Sequence, residues 1–331
     1  MPRFANSEEE VVLTPGYVER RSWLARISGD RLFRLFTLAP TLAILGLLIG
    51  ITAVLIWSAR ESISRFGLQF VVSSDWDPVN GLFGALPFIY GTAVSSALAL
   101  SIAVPLSLGV ALCLSEMAPR WLASRLAFLV ELLAAIPSVV YGLWGIFVLG
   151  PFLTNHIDPV LARYLGFLPL FQGPRVAVSM LSAGIILAVM VIPFISAVCT
   201  DVFSTVPASQ REAALALGAT QWEMVRIAVL PYGFLGIIGA ILLGLGRALG
   251  ETIAVAMVIG NRPAISASLF MPASTLASAI ANEFAEATSD LYVSSLLELG
   301  LVLLMLGMVA NVIARLLVLR TTRRMFGGGG R

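Results

Sequence analysis

Six long apolar stretches restrict the fold of this chain more than any other feature. They cover approximately residues 36–58, 86–114, 126–150, 176–200, 232–258 and 291–318. Each is long enough to cross a hydrocarbon layer of about 30 Å as a helix, and a lone segment in lipid satisfies its backbone hydrogen bonds only as a helix. Hydrophobic residues make up 58% of the chain and charged residues only 12%. The pattern therefore predicts an all-α polytopic membrane protein with six transmembrane helices.

Every basic residue of the chain is arginine, with 21 arginines and no lysine. Without lysine the chain has neither the GxxxxGK[ST] phosphate loop nor a Schiff-base lysine, which excludes a P-loop ATPase and an aldolase-type enzyme. No cluster of His, Cys or Asp falls inside the spans, so the sequence suggests no metal site and no nucleophilic triad. We predict no catalytic residue, metal or cofactor in this chain. Any ATP would be hydrolysed by a partner.

The distribution of arginine predicts how the chain is oriented. With six spans both termini share one side, and the segments 1–35, 115–125, 201–231 and 319–331 on that side carry 14 arginines against 5 on the opposite side. The positive-inside rule makes the richer side cytoplasmic. Residues 1–35 are then a cytoplasmic tail, 36–318 a transmembrane domain containing the loop 201–231, and 319–331 a second tail. The basic amphipathic segment 20–34 either lies on the inner leaflet or only sets the topology.

The loop 201–231 carries a spacing that predicts a short helix and a tight turn. Glu212, Ala213 and Ala214 are followed after three residues by Gly218, and helical spacing resumes over residues 222–229. Gly218 permits a left-handed turn between the two helical segments. The pattern resembles the EAA loop of ABC importer permeases, and this resemblance implies that Glu212, Ala213, Ala214 and Gly218 contact an ATPase. An ordinary amphipathic connector is the alternative.

Arg247 and Glu251 are ionisable residues deep in the fifth predicted span, where such groups suggest function because their burial is costly. A separation of four residues predicts that both side chains share one helix face, and Gly244, Gly246 and Gly250 remove bulk around them. A guanidinium matches the oxygens of phosphate or a similar oxyanion. Glu251 would act as a brake by occupying Arg247 when no anion is present, or would hold the guanidinium in position. The alternative is an ion pair that merely neutralises two buried charges.

Residues toward the outer side carry further predictions. The segment 259–290 predicts an interfacial or re-entrant helix, and Trp76 predicts an interfacial anchor before the second span. Glu298 would face a central cavity or pack against another helix. Three prolines are predicted to lie within spans, where proline commonly kinks a helix: Pro105, Pro137 and Pro193.

Five further segments indicate which family of permeases the chain resembles. They are Asp75–Pro87, Ile136–Gly145, Arg247–Thr252, Gly260–Pro263 and Ile280–Phe284. Together they resemble the PstC-type permeases of bacterial phosphate ABC importers, within the MetI-like family of binding-protein-dependent transport permeases. The resemblance covers about residues 36–320. It implies an ABC type I importer permease fold with a cytoplasmic coupling helix.

The resemblance also implies a function and a set of partners. The chain would be a phosphate permease subunit in the bacterial inner membrane, paired with a PstA-type permease, two copies of a cytoplasmic ATPase and a periplasmic phosphate-binding protein. ATP and magnesium would bind in the ATPase, and Arg247 and Glu251 would correspond to charged residues important for translocation. Membrane lipid is an expected contact and nucleic acid is not. The alternatives are a permease for another oxyanion or a phosphonate, or a secondary anion transporter. The latter class would leave the Glu212 loop unexplained.

Overall fold

A computed structural model describes residues 23–326 of the chain, with side chains at 31–316 and at Val318. Residues 1–22 and 327–331 lie outside the described part. Most of the predicted N-terminal tail and the end of the C-terminal tail therefore fall outside it as well.

Between residues 23 and 326 the backbone is helical, without a β-strand. In chain order the α-helices are α1 (Trp23–Ser58), α2 (Arg60–Phe66), α3 (Gln69–Val72), α4 (Leu86–Leu112), α5 (Arg120–Ala135), α6 (Ser138–Trp144), α7 (Gly150–Phe152), α8 (Asp158–Leu165), α9 (Met180–Ser204), α10 (Ala208–Ala216), α11 (Gln221–Met224), α12 (Leu230–Gly250), α13 (Ile253–Val258), α14 (Leu276–Glu283) and α15 (Asp290–Phe326). Four π-helical turns continue or join them, at Cys113–Met117, Gly145–Leu149, Leu153–Ile157 and Val225–Val229.

Six of the resulting helices are long and apolar enough to cross a membrane. They are Arg31–Ser58, Leu86–Met117, Ser138–Leu165, Met180–Ser204, Gln221–Gly250 and Asp290–Leu316. The predicted all-α membrane fold with six spans is confirmed. Four spans lie within a few residues of the predicted ranges, whereas the third and the fifth are shifted.

The third span begins at Ser138, directly after Pro137, which was predicted to lie within the span. The predicted range 126–150 is wrong because α5 ends at Ala135 and α6 begins at Ser138. Ile136 is extended, with φ −66° and ψ 128°. The ring of the following Pro137 disfavours helical backbone at the residue before it. Pro105 and Pro193 do lie inside helices, α4 and α9, as predicted.

The fifth span begins earlier and ends earlier than the predicted range 232–258. The span starts at Gln221 and continues through α12, which contains Pro231 and ends at Gly250. The π turn Val225–Val229 ends two residues before this proline. Proline lacks the N–H of a regular helical hydrogen bond, and a π turn shifts the bonding pattern locally, so the helix passes the proline without stopping.

The described residues divide between two units, one ending at Val54 and the other beginning at Leu55. The described residues of the first unit form one helix, the greater part of α1. In the second unit, α4 and α12 pack against α9, which has a largely buried surface. An added Cβ at Gly244 of α12 would lie 2.7 Å from the Ile195 side chain, so this glycine allows α12 to approach α9 closely.

The chain has two cysteines, and they lie in different environments. Cys199 is buried within α9, where it packs as a small apolar residue. Cys113 is exposed in the π turn that ends the second span.

A second apolar cluster of the same unit surrounds α14. The predicted helix in the segment 259–290 is confirmed, and it starts after Thr275, whose side chain caps it. Trp76 belongs to this cluster: its indole nitrogen donates to Glu283 at 2.8 Å, and its ring packs edge-on against Phe83 and Phe88. The indole N–H is thus bonded to a protein carboxylate, and the position of Trp76 at a membrane interface stays a prediction.

Candidate functional site

The loop after the fourth span folds as a helix, a turn and a second helix, which we call the coupling elbow (residues 208–224). The predicted short helix is α10, and it carries the Glu-Ala-Ala sequence on its surface. Glu212 and Ala213 are exposed, whereas Ala214 is buried. The elbow therefore presents an acidic side chain and a small one outward, and it rests on the rest of the unit through Ala214.

Gly218 forms the turn of the coupling elbow in the left-handed conformation that the sequence predicts. Its φ is +84°, and no atom lies within 4 Å of the position that a Cβ would occupy. The amide of Ala219 donates to Ala214 O at 3.2 Å and the amide of Gly218 donates to Leu215 O at 2.9 Å. This is the Schellman arrangement, which satisfies the last carbonyls of a helix. Gly218 is thus required for its backbone angle rather than for space.

A reciprocal cap fixes the start of the second helix of the elbow. Glu223 accepts a hydrogen bond from the Thr220 amide at 2.8 Å, and the Glu223 amide donates to Thr220 Oγ1 at 3.3 Å. Together these bonds form a capping box. We did not predict this pair, although the Thr-x-x-Glu spacing was a sequence signal for it.

The fifth span is broken next to Arg247, and the predicted arrangement of Arg247 and Glu251 on one helix face is wrong. α12 ends at Gly250, and Glu251 is extended with φ −69° and ψ 126°. α13 then begins at Ile253. Glycine is a poor helix former, so a helix whose last turns contain Gly244, Gly246 and Gly250 ends easily here. Glu251 lies in the break and is not a neighbour of Arg247 on a helix.

Arg247 packs on an aromatic ring and has no acidic partner in the described part of the chain. Its guanidinium carbon lies 4.3 Å from the centroid of the Phe194 ring. The buried Arg247 Nε has no hydrogen-bond partner. No carboxylate of residues 31–316 lies within 4.0 Å of its nitrogens, so the predicted pairing with Glu251 is absent from this conformation. A half-buried cation is therefore left with unused hydrogen-bond donors.

The glycines around Arg247 do two different things. Gly244 faces α9, where there is no room for a larger residue. Gly246 and Gly250 face open space, with no atom within 4 Å of an added Cβ. Gly244 allows the helices to pack. Gly250 is three residues after Arg247 and shares its side of α12, so it leaves bulk away from that side as the sequence suggests, whereas the adjacent Gly246 faces a different direction.

Phe194 is a residue of this site that sequence reasoning missed. It lies on α9 directly after Pro193 and is 36% exposed. An arginine stacked on a phenylalanine face is held by cation–π attraction, which strengthens where water is excluded. A phenylalanine within an apolar span cannot be told from a lipid-facing residue in one sequence, so no signal pointed to it.

Glu298 lies apart from Arg247 and packs against another helix. It is 5% exposed and, together with Ile63 of α2, lines an apolar cavity of about 600 Å³. Neither Arg247 nor Phe194 lines that cavity. Of the two alternatives that the sequence left open, packing against a neighbouring helix is the one observed.

Comparisons with known proteins place the coupling elbow and Arg247 in one recognised domain. The family described as "Binding-protein-dependent transport system inner membrane component" matches residues 103–323. The chain is 47% identical over 315 residues to the "Phosphate transport system permease protein PstC" of Xylella fastidiosa, covering 94% of this chain and 96% of the relative. It is 46% identical over 299 residues to the protein of that name from Mesorhizobium japonicum, with coverages of 89% and 91%.

A solved structure with the same fold is a bacterial alginate ABC transporter in complex with an alginate pentasaccharide-bound periplasmic protein. One of its chains superposes with a TM-score of 0.55 at 17% identity, covering 89% of this chain and 98% of that chain. This likeness shows the fold alone. With six spans, this fold and the relatives above, the chain is a multi-pass membrane protein that belongs to the family of binding-protein-dependent transport system inner membrane components.

Proposed function

We propose that this chain is the permease subunit of an ATP-driven importer of inorganic phosphate, in which it forms half of the translocation pathway. The relatives named as phosphate transport permeases, 46–47% identical over most of the chain, support the substrate. The observation that supports Arg247 as the anion site is its half-buried guanidinium, which has no carboxylate partner among the described residues.

Arg247 would meet the anion with its free donors. The planar fork of N–H groups fits two oxygens of a tetrahedral oxyanion. The guanidinium carbon lies over the Phe194 ring, and no carboxylate of residues 31–316 lies within 4.0 Å of the guanidinium nitrogens. The open space at Gly250, three residues after Arg247 on the same side of α12, would give the anion room. Glu251 follows in the helix break, where its negative charge would limit how long the anion stays.

The coupling elbow would receive the motion of a separate ATPase. Glu212 and Ala213 are exposed for contact, whereas Ala214 and Gly218 shape the helix and its turn. ATP and magnesium would bind in that partner, because this chain contains no lysine for a phosphate loop. The expected complex contains a PstA-type permease, two ATPase copies and a periplasmic phosphate-binding protein.

The excess of arginine on one side supports an orientation in the bacterial inner membrane with both termini in the cytoplasm. The phosphate-binding protein would then deliver its ligand at the opposite side. Closure of the ATPases would move the elbow and open the pathway outward, and hydrolysis would reset it.

The test is phosphate uptake by proteoliposomes containing this chain, its partner permease and the ATPase, with the binding protein present. We expect uptake to require ATP and to fall about 100-fold in Arg247→Gln, because charged hydrogen bonds contribute about 1.5–3 kcal/mol each. Arg315→Gln is the matched control, since Arg315 is exposed near the end of the last span. Uptake by Arg247→Gln at the wild-type rate would contradict the pathway role.

Two other results would change the proposed class of transporter or the proposed substrate. Uptake by this chain alone without ATP would indicate a secondary transporter. Stimulation of ATP hydrolysis by a different oxyanion or a phosphonate, and not by phosphate, would change the substrate while keeping the importer class.

A further inference from the structure

Arg211, next to Glu212 in the coupling elbow, contacts the end of the second span. Its Nε donates to Glu116 Oε2 at 3.0 Å and its Nη2 donates to Glu116 Oε1 at 2.7 Å. Glu116 lies in the π turn Cys113–Met117 that continues α4. Two parallel bonds between a guanidinium and a carboxylate fix both distance and orientation.

The same guanidinium also holds the end of the fourth span. Arg211 Nη2 donates to Phe203 O at 2.7 Å, and Nη1 donates to Val206 O. Phe203 lies in the last turn of α9, where helix carbonyls lack partners within the helix. One side chain of α10 thus bonds to the cytoplasmic ends of both α4 and α9. We call this group of contacts the α10 clamp (Arg211, Glu116, Phe203 and Val206).

The clamp is sheltered from solvent. The Glu116 side chain is 5% exposed and the Arg211 side chain 22% exposed, and theirs is the only ion pair between carboxylates and arginines of residues 31–316. α10 itself buries one residue, Ala214. Polar contacts through Arg211 therefore make up a large part of the attachment of this helix to the spans.

We propose that Arg211 is a positioning residue through which displacement of α10 moves α4 and α9 as one body. The proposal rests on the function proposed above, in which α10 receives the motion of an ATPase. Four directional bonds to two helix ends resist both translation and rotation of α10 relative to the spans. A single apolar contact at Ala214 would let α10 slide or rotate.

The clamp also provides a route to the candidate pathway. α9 carries Phe194 nine residues before Phe203, about 14 Å along the helix axis. Phe194 in turn packs on Arg247. Movement of the end of α9 as a rigid helix would carry the ring on which that guanidinium rests. The clamp therefore connects the ATPase side of the chain to its candidate anion site through one element.

If the pair of Arg211 and Glu116 only stabilised the fold, a double variant would behave differently from what we expect of a positioning role. Replacing one partner leaves the other as an unpaired buried charge, which is strongly destabilising, whereas replacing both removes the charges together. Glu116→Gln, Arg211→Gln and the double variant would each be assembled with the partner permease and ATPase. The measurements are the unfolding temperature of the complex and the stimulation of ATP hydrolysis by phosphate-loaded binding protein.

We expect the double variant to recover most of the unfolding temperature lost in the single variants, while its stimulated hydrolysis stays about tenfold below wild type, as for a typical coupling between sites. Recovery of stimulation together with stability would overturn the proposal and leave a structural pair. Loss of stimulation in Arg211→Gln with full stimulation in Glu116→Gln would also overturn it, because buried Glu116 cannot touch the ATPase and exposed atoms of Arg211 can.

Two further variants keep the test decisive if the glutamine variants do not assemble. Arg211→Lys keeps the charge but loses the planar fork, so we expect it to assemble with stimulation well below wild type. Stimulation by Arg211→Lys equal to wild type would contradict the clamp. Arg120→Gln, an exposed arginine at the start of α5, should behave as wild type. If wild-type complex itself shows no stimulation, the proposed function fails and the clamp fails with it.

Discussion

Two arginines of this chain, Arg211 and Arg247, occupy opposite chemical situations. Arg211 makes four hydrogen bonds, two of them to a buried carboxylate. Arg247 rests on the ring of Phe194, has a buried Nε without a partner, and has no carboxylate within 4.0 Å among the described residues. The first guanidinium uses four of its five N–H donors within the protein, whereas the second keeps donors available.

This difference separates a residue that holds the fold from one suited to a ligand. A buried cation is expensive unless it is paired, so an unpaired one persists where the surrounding fold stabilises it and a ligand can complete it. The backbone near Arg211 also differs from the backbone near Arg247. The coupling elbow satisfies its helix ends through a Schellman turn and a capping box, whereas the fifth span stops beside Arg247 at a glycine.

The largest expected effect tests this contrast through stability. Arg211→Ala leaves the Glu116 carboxylate buried without a counter-charge, and we expect it to lower the free energy of unfolding by about 3 kcal/mol. Arg247→Ala removes only stacking on Phe194, and we expect a loss of about 1 kcal/mol or less. Titration of the purified chain in micelles with a denaturing detergent measures both. Equal losses in the two variants would show that the two arginines do not differ as described.

Two glycine substitutions test the backbone part of the comparison. Gly218→Ala forces a side chain into the left-handed region, and we expect it to lower the free energy of unfolding by about 1–2 kcal/mol. Gly246→Ala adds a methyl group to a helix where no atom lies within 4 Å, and we expect a gain of about 0.5–1 kcal/mol. The same titration gives both values.

The smallest expected effect concerns the ring of Phe194, on which Arg247 rests. Phe194→Leu removes a cation–π contact worth about 0.5–1 kcal/mol, and we expect phosphate uptake to fall about threefold. Phe194→Tyr keeps the aromatic face and should retain most of the uptake. Initial rates of uptake at several phosphate concentrations would separate the two variants. Equal uptake by both would mean that stacking does not position the guanidinium.

Much of the fold and of the coupling elbow followed from local sequence signals. Four spans lie within a few residues of continuous apolar runs, which can be recognised without knowledge of the neighbouring helices. The third and the fifth spans include charged residues, and their predicted ranges were displaced. Gly218 and the helical spacing on either side of it predicted α10, its left-handed turn and the second helix. These features depend on residues within a few positions of one another.

The features that sequence reasoning missed depend on distant partners or on small differences in backbone energy. Arg211 and Glu116 are 95 positions apart, and nothing in a single sequence pairs them. Phe194 and Arg247 lie on different spans. The break after Gly250 was missed because apolar residues continue on both sides of it, so the hydropathy that located the span also concealed its end.

The exposed thiol of Cys113 gives experimental access to the clamp in the unaltered chain. The other cysteine is buried in α9, so a maleimide-linked spin label or fluorophore would react selectively at one position. That position lies three residues before Glu116 in the same π turn. A spectroscopic reporter can therefore follow the end of α4 during a nucleotide cycle without an engineered cysteine.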